Sequence, residues 1–275
     1  MKVSVISLTL FLWLLSGSAA GQQSATPVIS TPAQIRSDFA AVPCKNSERL
    51  NGAKLLFEKM GASPDAISIE KHKKIQNLVV RMPGASPEMI VVGAHYDKAS
   101  QGCGAVDNWS GIVTIAHLFR TLRDLKLQKT ILFVAFGEEE GGLFGSHAMV
   151  DAIRKEELEQ YCTMINIDSL GLAQPQILDN TSSRKLAALT LDLAKEMKIS
   201  VAHANIGEAD ADSSSFLKRK IPAITLHGLS RDYESVIHTR NDQASAVNEL
   251  SVYLGYRLSL ALVMRLDESS CGLFR

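Results

Sequence analysis

The stretch MIVVGA, residues 89–94, is an unbroken apolar run that leads straight into His95 and, two residues on, Asp97. A strand with one wet face would alternate apolar and polar residues, so a continuous run predicts a strand covered on both faces. Two further runs repeat the pattern: TILFVAF, residues 130–136, is followed by Glu138, Glu139 and Glu140, and the run 162–167 is followed by Asp168. Around them the periodicity is helical over 35–60 with a break near Pro43, then over 110–125, 143–160, 184–197 and 244–266. Two strand-like pieces within 66–82 flank the basic run 71–74, and IPAITL, residues 221–226, reads as another buried strand. Strands alternating with helices predict a three-layer α/β/α fold with a mostly parallel, mixed central sheet. Ligand sites in such sheets gather beyond the carboxyl ends of the strands. With no low-complexity linker and no internal repeat, residues 21–275 read as one domain.

The chain has 275 residues, with 29 Lys plus Arg against 29 Asp plus Glu and 46% hydrophobic residues, a composition able to bury a core. No net charge and no long basic run leave nothing to attract nucleic acid. Lys2, an apolar stretch over 3–15 and small residues through Ala20 predict a signal peptide cut after Ala20. The apolar stretch is shorter than the roughly 20 residues of a membrane span, so the mature chain is expected to be secreted or periplasmic, with no membrane association. Export makes Cys44, Cys103, Cys162 and Cys271 eligible for disulfides, in any of three pairings; bonds at Cys44 and Cys271 would tie down the two ends. No two of them form a CxxC pair, which argues against a cysteine zinc site.

Three strands that each end in acids or histidine bring metal-grade side chains to one rim of the sheet. His95 and Asp97 are two apart and share a strand face, so the Asp97 carboxylate can accept a hydrogen bond from the imidazole nitrogen turned away from a metal. Asp107 lies in the small-residue stretch GAVDNWSG, residues 104–111, just before a helix, where Asp107 or Asn108 could equally serve as an N-cap. Adjacent acids such as Glu138, Glu139 and Glu140 repel one another unless a cation or shared proton intervenes, although acids at a helix start also suit its dipole. Carboxylates with imidazole suit zinc, manganese or cobalt.

These elements, GAHYD at 93–97, GAVDNWSG at 104–111, EEGGLFGS at 139–146, NIDSLG at 166–171 and HTRND at 238–242, resemble the M28 zinc aminopeptidases of the bacterial leucyl aminopeptidase type. The resemblance runs in family order over roughly 45–265. It implies two zinc ions, one held by His95 and Asp168, the other by Glu140 and His238, with Asp107 bridging them. It also implies Glu139 as general base, Asp97 as the partner of His95, and peptides as substrates. Asp212 and Phe216 occupy places where the family often has Asp-His-x-x-Phe, with Ser213 replacing the His. Paired divalent ions can polarise a carbonyl and lower the pKa of a water, from which Glu139 would take a proton for the leaving amine. Glutaminyl-peptide cyclotransfer, or carboxypeptidase or other amidase chemistry, is the alternative on the same scaffold. A non-catalytic binding ectodomain is a third reading, disfavoured by the intact ligand set. His72, His117, His147, His203 and His227 fall outside the motifs and read as surface or packed residues.

Overall fold

The computed structural model describes residues 27–207 and 209–275; the segment read as a signal peptide, 1–20, lies outside them. The elements are α1 (Pro32–Phe39), α2 (Asn46–Lys59), β1 (Ile67–His72), β2 (Ile75–Met82), β3 (Met89–His95), α3 (Ser110–Leu122), β4 (Thr130–Phe136), α4 (Phe144–Ala152), β5 (Tyr161–Ile167), β6 (Gln176–Leu178), α5 (Arg184–Met197), β7 (Ala202–Ala204), α6 (Ser213–Lys218), β8 (Ala223–His227) and α7 (Glu249–Glu268). The strands form one sheet in the order β1-β2-β4-β3-β5-β8-β6-β7. Its centre is parallel, β4-β3-β5-β8, while β1–β2, β2–β4 and β6–β8 pair antiparallel, so the sheet is mixed as expected.

The unbroken apolar runs are explained by two cores. Ile90, Val92, Ile131, Phe133, Ile165 and Ile167 point to one face, where they pack with Phe57 of α2, Leu118 of α3 and Val263 of α7. The alternate residues Val91, Leu132, Val134, Phe136 and Met164 point to the other, against Met149 and Val150 of α4 and Phe216 of α6. Period-two side-chain alternation thus serves two apolar layers at once. Phe133 is fully buried between Phe57 and Phe119, so its truncation to Ala is expected to cost about 3–5 kcal/mol. Gly93 sits where a Cβ would meet the Phe136 ring at 2.4 Å, which is why the β3 run carries a glycine at this position.

Two expected helices differ in extent. The segment 143–160 is α4 followed by a 3-10 turn, because buried Ile153 turns out of the helix, φ −69° and ψ 120°, to bring the chain back for β5. The segment 244–266 begins with a 3-10 turn, and α7 starts only after Asn248, whose side chain accepts from the Leu250 and Ser251 amides. The 35–60 region is two helices flanking Pro43, as expected. The short elements β6, β7 and α6 had no expectation: three residues are too few to show alternation, and the serines of α6 are poor helix formers without apolar spacing. The cysteines pair as Cys44–Cys103 and Cys162–Cys271. The first fastens the α1–α2 junction to the loop after β3, the second the C-terminal tail to β5. Among the described residues no helix is long and apolar enough to cross a membrane.

Candidate metal centre

Parallel register sets the rim. His95 is opposite Phe136, so the acids after β4 emerge beside the end of β3, and Asp168 follows Ile167 on the other neighbour, β5. His238 arrives from the loop after β8. Asp107 comes from the turn between β3 and α3, whose backbone leaves helical angles at Asp107 and Asn108.

All five residues expected to ligate metal are brought together, in two groups. His95, Asp107 and Asp168 form one and Asp107, Glu140 and His238 the other, each offering ligand atoms within 4.8 Å of one another. Asp107 belongs to both: its Oδ1 lies 3.0 Å from His95 Nε2 and its Oδ2 2.9 Å from His238 Nε2. Asp168 Oδ1 is 3.5 Å from His95 Nε2, and Glu140 Oε2 is 3.2 Å from His238 Nε2. Glu139 stands across the first group, 3.9 Å from His95 Nε2. Glu138 at φ 56°, Ser169 at φ 55° and His238 at φ 58° all take the left-handed region, a concentration of backbone strain at the rim.

Asp97 acts differently from the sequence expectation. His95 Nδ1 lies 3.2 Å from the Asp97 main-chain oxygen and 3.7 Å from its carboxylate, so the carbonyl holds the tautomer that frees Nε2. The carboxylate is instead taken by the amides of Glu139 at 3.0 Å and Glu140 at 3.1 Å, and so ties the end of β4 to the end of β3. The Asn108 side chain proves the capping group of the pair: it accepts from the Gly111 amide at 2.9 Å and the Ser169 amide at 3.1 Å and donates to Ile167 O at 2.8 Å. Asp107 is left free to face the imidazoles. Asp242, quoted only as part of a motif, accepts from the amides of Val106 at 2.7 Å and Asp107 at 3.2 Å.

The electrostatics are those of an acid cluster whose positive charge comes from its imidazoles. Burial works against a charged His95, but Glu139, Asp107, Asp168 and Asp97 outweigh it and hold its pKa well above the ordinary value. His238 is raised to about 10 by its hydrogen bonds to Asp107 and Glu140. Burial would raise Asp107, yet the two imidazoles hold it far below the usual carboxylate range. Burial pushes Glu139 up to about 9, helped by Asp168, Asp212 and Asp107. Asp212, fully buried with both oxygens unpartnered among the described residues, is pushed up to about 7 by burial.

The groups open into a cavity of about 470 Å³ whose far wall is Leu178, Ile206, Leu229, Tyr233 and Ile237. His227 also lines it, a packed residue, 3% exposed, whose Nδ1 accepts from the Leu229 amide. The sequence marked it only as lying outside the motifs.

The model of peptidase family M28 matches residues 77–260. The chain belongs to this family. Among curated relatives, a probable leucine aminopeptidase of Arthroderma otae is 28% identical over 217 residues, which cover 69% of this chain and 58% of that protein; the chain thus spans little more than half its length. The structure of BSAP, a zinc aminopeptidase from Bacillus subtilis, superposes with a TM-score of 0.64 at 23% identity over 71% of this chain and 52% of the other. A glutaminyl cyclase from an Acidobacteriales bacterium superposes with a TM-score of 0.76 at 17% identity over 90% and 98%. At these identities the two structures speak for the fold, which the M28 chain shares with both.

Proposed function

We propose that this M28 chain is an exported, zinc-dependent aminopeptidase that uses two ions and Glu139 as general base. The observation that carries the reading is the pair of three-residue groups that share Asp107 in the wall of the cavity. The residues fit divalent metal on their own geometry. Asp107 directs one oxygen to each group, and Glu140 Oε1 is buried without a partner among the described residues. Imidazole with carboxylate is a zinc donor set. Bound there, such ions would supply Lewis-acid polarisation of a carbonyl and acidify a water.

The chain's own residues do the rest. Glu139, anchored through its amide to Asp97 and standing 3.9 Å from His95 Nε2, is placed to take a proton from the attacking water and return it to the leaving amine. His95 Nδ1–H on the Asp97 carbonyl keeps Nε2 available as a ligand. The apolar wall of Leu178, Ile206, Leu229 and Ile237 favours a side chain over water beside the scissile bond. Two disulfides among the described residues agree with export.

The deciding experiment is incubation of the zinc-loaded chain with aminoacyl, N-blocked and N-terminal Gln peptides, read by mass spectrometry. Loss of one N-terminal residue from free peptides, with N-blocked ones intact, is expected. Loss of ammonia from Gln peptides without cleavage would replace this reading by a cyclase. N-terminal sequencing of exported protein should begin at Gly21.

A further inference from the structure

Arg49 lies on α2, outside every motif of the site, and its guanidinium is completely buried. Among the described residues all its hydrogen bonds go to main-chain carbonyls. Nε donates to Tyr96 O, Nη1 to Pro43 O at 2.9 Å and Cys103 O at 2.7 Å, and Nη2 to Gly104 O at 3.1 Å. Its plane also lies over Trp109, 5.2 Å from the ring centroid.

The places it grips are informative. Tyr96 is the residue between His95 and Asp97, and Cys103–Gly104 opens the turn that delivers Asp107. One side chain therefore spans the two segments whose separation sets the distance from His95 to Asp107. The turn is tight as well: Gly104 has φ 59°, and a Cβ there would meet the Asp107 carbonyl at 2.7 Å.

A buried guanidinium served only by carbonyls is a costly way to hold a helix to a strand, and an apolar side chain would pack there at less cost. Its charge faces the acids of the site. Burial lowers its pKa to about 10, and Asp107, Asp97, Asp242 and Glu140 oppose that fall. Arg49 is thus a fixed cation behind the acid cluster, out of contact with any ligand atom.

We propose that Arg49 is a positioning residue for the metal centre, its guanidinium fork fixing the loop that carries Asp107 against the strand end that carries His95 and Asp97. The inference rests on these residues being the metal ligands proposed above. Arg49→Lys keeps the charge and loses most of the carbonyl fork, whereas Arg49→Met loses both. Zinc titration and thermal unfolding, each with zinc and with chelator, separate positioning from plain stability.

Both variants are expected to raise the zinc Kd about 10- to 100-fold, as losses of a ligand's outer support do. Zinc should then raise their Tm by less than it raises that of the unaltered chain, because metal stabilises only in proportion to its binding. Equal loss of Tm with and without zinc, at unchanged zinc Kd, would make Arg49 a rivet of the fold and overturn the proposal. Tighter zinc binding by Arg49→Met than by the unaltered chain would also overturn it, since charge repulsion would then be the dominant effect. If neither variant folds, Arg49→Gln, which keeps an amide donor for part of the fork and loses the charge, takes their place. A rise in zinc Kd at unchanged circular dichroism is then expected, and an unchanged Kd overturns the proposal. An unaltered chain that binds no zinc would defeat the metal-centre reading itself, a result distinct from either.

Discussion

Replacing Asp97 by Ala tests whether this carboxylate works on the imidazole or on the neighbouring strand end. Its two oxygens accept from the Glu139 and Glu140 amides at 3.0 and 3.1 Å, while His95 Nδ1 is served by the Asp97 main-chain oxygen, which any substitution keeps. Asp97→Ala should therefore leave the imidazole tautomer intact and strip two amides of their charged acceptor. An amide left without its partner costs about 1–3 kcal/mol, and Glu139 and Glu140 are only partly buried, so the lower half of that range applies to each. Together they give about 2–4 kcal/mol of lost stability in chelator. The displaced residues are the proposed base and a proposed ligand, and misplacement of a catalytic group by 1 Å costs about 100-fold in rate. Asp97→Asn retains one acceptor oxygen and should fall between. Urea unfolding in chelator and steady-state turnover of an aminoacyl substrate at saturating zinc measure the two effects. An Asp97→Ala chain within about 0.5 kcal/mol of the parent, with turnover within about threefold, would refute the assignment of the carboxylate to the amides.

Glu139→Gln should retain its zinc and lose about 100- to 10,000-fold in turnover; near-parental turnover would remove Glu139 from the role of base. Asp107→Ala should lower the zinc content per chain measured by elemental analysis, and an unchanged content would rule out a shared ligand. Away from the site, burial would raise Asp38, but its hydrogen bonds to His117 and Lys59 hold it below 3.8. Its ionised form is therefore favoured by folding, so its contribution is complete above about pH 4 and disappears as pH falls through the lower folded value. Asp38→Asn should flatten that part of a urea-stability profile, and an unaltered slope would show that the stabilisation lies elsewhere.

The central strands and the five ligand candidates were legible because both leave a mark in consecutive residues. TILFVAF has to be apolar throughout since Phe133 enters one core and Val134 the other, and the acids must follow at once to reach the rim. What holds those ligands was less legible. Asn108 and Asp97 were seen but their contacts were not, because an Asn that caps a helix and one that also clamps Ile167 and Ser169 look alike in sequence. Arg49 was invisible, since its partners are carbonyls and every residue has one. The split of 143–160 likewise turns on where Ile153 finds its cavity, which no local period records.

The bond between Cys162 and Cys271 also settles which way the molecule presents itself. Cys162 is near the amino end of β5 and Asp168 just past its carboxyl end, six residues or about 20 Å away along the strand. Arg275 reinforces the attachment by donating to Leu158 O and Tyr161 O. Anything joined beyond Arg275, whether an affinity tag or a tether to a solid support, departs from the rim opposite the cavity. Immobilised that way, the chain would offer its candidate metal centre to the bulk solution rather than to the surface that carries it.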